Sequence, residues 1–81
     1  MLETYAGARR QFLEAFPGIG MRVWGNEDLS KMFFAVCDDE QIDYRTYGFM
    51  WRGQFENSTC LAQRIQDVEK DLTGIGILRP H

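Results

Sequence analysis

Histidine is almost missing from this chain: the single copy, His81, is the last residue. General acid–base and nucleophilic catalysis lean most often on a histidine beside a nucleophile or an environment-shifted carboxylate. A Ser-His-Asp or Cys-His site built on a terminal histidine is therefore not expected. Cysteine is scarce as well, with Cys37 and Cys60 far apart and in no CxxC pair. Two such thiols and one histidine do not supply the spacing of a structural zinc site. The thiols read as small buried hydrophobes. No apolar run approaches the ~18 residues that a membrane-spanning helix needs. Basic excess is lacking too: the formal charge is -3 and the pI about 5.0. Nucleic-acid binders usually carry a basic stripe to neutralise phosphates, so the balance argues against that class.

Phosphate-binding glycine motifs are equally absent. The pairs Gly18/Gly20 and Gly74/Gly76 follow predicted helices, whereas a phosphate cradle precedes one, and no P-loop lysine accompanies them. Asp38-Asp39-Glu40, with Asp43 beyond, lacks the central glycine and distal glutamate of a calcium loop. It reads as a solvated acidic turn. No cofactor and no metal is expected. The segment Met1–Gly7 contains Glu3 and no apolar signal core, so a cytoplasmic location is expected, with no membrane partner.

What is present is apolar and aromatic: 44% hydrophobic residues and 14% aromatic in 81 residues. That is enough for one core and too little for two, so residues 1–81 are read as one domain with a frayed end at 78–81. Over Leu2–Phe16, Leu2, Tyr5, Phe12, Leu13 and Phe16 share one helical face with Ala6 beside them, and Pro17-Gly18 stops the helix. A second helix starts at Asn57 or Ser58, presents Leu61, Ile65, Val68 and Leu72 on one side, and ends at Gly74. In that context the Asn57-Ser58-Thr59 triplet is a helix cap.

Between the helices the period changes to two. Met21–Gly25, Lys31–Cys37 and Ile42–Gly53 read as strands, with Gly48 a candidate bulge in the third. Short connections make them an antiparallel meander. The expected fold is α+β, in the order helix, three strands, helix, with both helices on one face of the sheet. Double-stranded RNA-binding domains share this order, and they grip phosphates with lysines at the start of the last helix. Here that position reads Asn57-Ser58-Thr59-Cys60-Leu61, with no lysine before Lys70.

Strand alternation assigns Met21, Val23, Met32, Phe34, Val36, Tyr47, Phe49 and Trp51 to the covered face. The opposite face then carries Arg22, Trp24, Phe33, Tyr44, Met50 and Arg52, too apolar for a solvated surface. Aromatics, Met and Arg are the residues enriched in interface cores, so these six are the candidate binding residues. Arg9 falls within the apolar stripe of the first helix. It needs an acid such as Asp43, a snorkelling exit, or a partner.

The expected function is a non-enzymatic protein-interaction module (adaptor, regulator or inhibitor), self-associating as a homodimer through the aromatic face. Two alternatives stand beside it. One is a nucleic-acid binder using Arg22, Arg45 and Arg52 with the sheet aromatics. The other is a small enzyme completed across a dimer, with tyrosine, arginine and carboxylates as its reactive groups.

Overall fold

A computed structural model of the protein describes residues 4–36, 46–74 and 76. Among these residues three helices and a three-stranded antiparallel sheet follow one another as helix, strands, helices, an α+β fold. Helix α1 spans Tyr5–Ala15. Thr4 caps it, its hydroxyl accepting from the Gly7 N–H at 3.0 Å. The helix stops before Phe16-Pro17, and Gly18 and Gly20 take left-handed φ values of 78° and 71° in the turn that follows. The buried stripe of α1 is Ala8, Phe12 and Phe16, with Tyr5 and Leu13 half-buried; Ala6, expected beside them, is exposed.

Strands β1 (Met21–Gly25), β2 (Lys31–Val36) and β3 (Thr46–Trp51) lie in the order β1-β2-β3. The pairing of β2 with β3 runs without interruption from Lys31↔Trp51 to Val36↔Thr46, so Gly48 makes no bulge. Its role is spatial. A Cβ on Gly48 would lie 2.6 Å from Cζ of Phe34, the residue directly across the ladder. The Phe34 ring occupies the space where a side chain would stand.

This register reverses the expected parity of β3. Met50, expected on the open face, is 1% exposed and lies in the core beside Met32; Phe49 and Trp51, expected in the core, point the other way. Apolar size favoured Phe49 and Trp51 for the interior. Volume decided otherwise: with the Phe34 ring already in place, the core side of β3 accommodates Gly48 and Met50.

The third strand also ends earlier than its composition implies. Arg52–Phe55 forms a short helix α2, and the Gln54 side-chain oxygen accepts from the Trp51 N–H at 3.0 Å. Phe55 is buried and meets Tyr5 edge to face at 5.8 Å. Helix α3 spans Ser58–Gly74, with Asn57 as its cap: the Asn57 Oδ1 accepts from the Cys60 N–H at 3.0 Å. Leu61, Val68 and Leu72 are buried and Ile65 packs beside them. Cys60 is exposed, in the first turn of α3 and away from its apolar stripe, a correction to the buried-thiol reading; Cys37 lies outside the described residues. No described helix is long and apolar enough to cross a membrane.

One buried cluster unites α1, α2, α3 and the sheet. Phe12 stacks on Phe34 at 4.7 Å, and Val23, Met32, Val36 and Met50 complete the floor under Leu61, Val68 and Leu72. The helices thus share one side of the sheet.

Candidate interaction face

The sheet's other side is built by register. Trp24 pairs with Phe33, and Phe33 with Phe49, so one row of rings crosses all three strands. Trp24 and Phe33 stack at 5.6 Å with 13° between planes; Phe33 and Phe49 follow at 5.9 Å. Trp51, two residues along β3, meets Phe49 edge to face at 5.4 Å. Offset or edge contacts of this kind add about 0.5–1.5 kcal/mol per pair beyond the area they bury. The row is therefore a preorganised surface.

Lys31 closes one end. Its Nζ sits 4.6 Å from the Trp51 ring centre and 5.1 Å from that of Phe49, a cation over two π-faces. Trp24 is 38% exposed and Trp51 51%, while Phe33 and Phe49 are half-buried between them. Arg22 lies in the next row, opposite Ala35, which is fully buried although it faces this side. Among the described residues the partly exposed aromatic patch is thus Trp24, Phe33, Phe49 and Trp51. The described charged side chains on this face, Arg22 and Lys31, are both cations.

The six expected binding residues separate. Arg22, Trp24 and Phe33 share the face; Met50 is in the core; Tyr44, like Arg45 and the acidic turn at 38–43, lies outside the described residues. Arg52 opens α2, where its guanidinium donates to the Leu29 carbonyl at 3.0 Å and to the Asp28 carbonyl. It ties the β1–β2 turn to α2 and is not part of the aromatic row. Within that turn Asn26 accepts from the Lys31 N–H at 2.9 Å, and Leu29 adopts a left-handed φ of 56°. Hydrogen bonds from Ser30, its side chain and then its backbone N–H, hold the exposed Asp28 carboxyl below its ordinary range.

Arg9 is exposed at the margin of α1's apolar stripe, and its Nε donates to the Val23 carbonyl at 3.1 Å. That is the snorkelling outcome with a backbone acceptor at its end. Phe49 and Trp51 are the members of the face that strand alternation put on the wrong side. The signal that could have placed them was the glycine at 48, whose missing side chain leaves room for the Phe34 ring across the ladder.

Among the described residues no three His, Cys, Asp or Glu side chains gather into a metal-holding group. The chain matches no family model and has no significant match among curated proteins or solved structures, so its function is read from this face alone.

Proposed function

We propose that the protein is a non-enzymatic interaction module that self-associates through the open sheet face. One observation carries the reading: four aromatic rings, Trp24, Phe33, Phe49 and Trp51, form a continuous, partly exposed row on the side of the sheet away from the helices. Aromatic residues and arginine, here the rings with Arg22 beside them, are the residue types enriched in interface cores. Three strands about 4.8 Å apart and five or six residues long present a face of about 15 by 18 Å, well below the ~800 Å² per partner of a stable interface. A face of that size fits a weak, transient association.

Sedimentation of the full chain across tens of micromolar is the test. The parent is expected to show a monomer–dimer equilibrium that the double substitution Trp24→Ala/Phe33→Ala abolishes while far-UV circular dichroism stays unchanged. A parent that remains monomeric over this range rejects self-association. A second reading has its own observation: a row of rings flanked by Arg22 and Lys31 is the arrangement on which single-stranded bases stack. Salt-sensitive binding of a single-stranded oligonucleotide, lost in the same double variant, would favour it over the dimer.

A further inference from the structure

Backbone bonding at the turns determines which strand groups point out of the sheet. The Asn26 N–H donates to the Lys31 carbonyl, and the Arg52 N–H to the Ser30 carbonyl. Antiparallel ladders alternate between bonded and non-bonded pairs. Stepping two residues at a time from these anchors makes Trp24–Phe33 a bonded pair of β1 with β2 and Met50–Met32 a bonded pair of β3 with β2. Val23 on β1 and Phe49 on β3 therefore direct their N–H and C=O groups outward, along the two edges of the sheet.

Each of these outward carbonyls is held by an arginine from a different helix. Arg9 of α1 donates from Nε to the Val23 carbonyl at 3.1 Å, and Arg64 of α3 donates from a terminal nitrogen to the Phe49 carbonyl at 3.3 Å. On the β3 edge the outward Trp51 N–H is also taken, by the Gln54 side chain. Arg64 is further held by the face of Phe34, 6.0 Å away. A strand arriving at either edge would have to displace an arginine from the carbonyl it needs, and would meet a charge there. Open sheet edges template pairing with other chains, and a charge placed at the edge is a means of preventing it.

We infer that Arg9 and Arg64 are edge locks that hold the sheet at three strands and prevent a second copy of the chain from adding a strand. The two locks differ in strength. The β3 edge has two side chains bonded to its outward groups, and Arg64 is packed on a ring. The β1 edge borders a groove of about 390 Å³ lined by Arg9, Leu13, Met21, Arg22, Val23 and Trp24, and among the described residues the exposed Arg9 is the side chain bonded to its outward Val23 carbonyl. Loss of Arg9 is therefore the more consequential of the two.

The experiment compares Arg9→Met and Arg64→Met in the full chain by sedimentation and amide infrared spectroscopy. Arg9→Met is expected to gain an intermolecular sheet band that the parent lacks, with a weight-average mass about twofold or more above the parent's at equal concentration, and Arg64→Met to give less. The rise should persist when Trp24→Ala/Phe33→Ala is added, which separates edge pairing from association through the aromatic face. A folded Arg9→Met with the parent's mass and infrared band overturns the inference, as does a mass gain that Trp24→Ala/Phe33→Ala removes. Should Arg9→Met fail to fold, Arg9→Gln decides by the same two readouts, because it removes the charge and the reach while remaining polar.

Discussion

The sharpest check on the packing is Gly48→Ala. The added Cβ would stand 2.6 Å from Cζ of Phe34 and 3.0 Å from its Cε2, distances at which something must move. Phe34 has little room to retreat, since it is 2% exposed and stacked on Phe12 at 4.7 Å. Forcing a methyl into a filled core costs about 1–3 kcal/mol. Opposing this, alanine restricts the unfolded chain more than glycine and stabilises by about 0.5–1 kcal/mol where the backbone permits it. The steric term exceeds the entropic one at the centre of both ranges, leaving a net loss of about 1 kcal/mol, or a melting temperature about 5–10 °C lower in a domain of this size. Urea unfolding should show a lower midpoint at unchanged slope. Adding Phe34→Leu, which withdraws the ring, should recover part of the loss, so that the two changes couple. A Gly48→Ala protein as stable as the parent, or one whose loss is indifferent to Phe34→Leu, would refute the account of this position.

Gly53 offers the opposite case: it lies exposed in α2, and a methyl group added there would meet nothing within 4 Å, so Gly53→Ala should raise stability by about 0.5–1 kcal/mol in the same urea assay. Phe12, fully buried between Phe16 and Phe34, should cost about 3–5 kcal/mol when cut to alanine, read as loss of the cooperative thermal transition at ordinary temperature. The Asp28 carboxyl is depressed in the folded state, so its contribution is present above the unfolded value of about 4 and is lost as pH falls through the lower folded value. The melting-temperature gap between the parent and Asp28→Asn should therefore be constant near neutral pH and close in acid; a gap independent of pH removes Asp28 from the turn's stability.

Helix α3 was fully legible in the sequence because Leu61, Ile65, Val68 and Leu72 repeat at helical spacing between an Asn cap and a terminal glycine. The same holds for α1's stop at Phe16-Pro17-Gly18 and for the hairpin through Asn26–Ser30. The failures share one physical origin. Periodicity counts how apolar a residue is, and it does not count the space left for it. The side of β3 was determined by the Phe34 ring opposite Gly48, a long-range volume constraint. Helix α2 was hidden for a related reason: four residues are too few to show a helical period, and Phe55 there is anchored by Tyr5 from the other end of the chain. Of the face itself, Trp24 and Phe33 were legible because β1 and β2 alternate cleanly; Phe49 and Trp51 were not.

The two glycines on the helix side of the sheet give its two surfaces different freedom to drift. At Gly48 the Phe34 ring, and at Gly25 the Tyr5 ring together with Leu29, fill the place of a side chain, so that nearly any larger residue collides. On the far side Trp24 and Trp51 are more than a third exposed, and trimming them leaves no sealed cavity in the core. Mutation on the helix side is therefore policed by folding itself. The two exposed tryptophans can change at the cost of their ring contacts, about 0.5–1.5 kcal/mol per pair, and a shift in what they contact can be explored without opening the core that displays them.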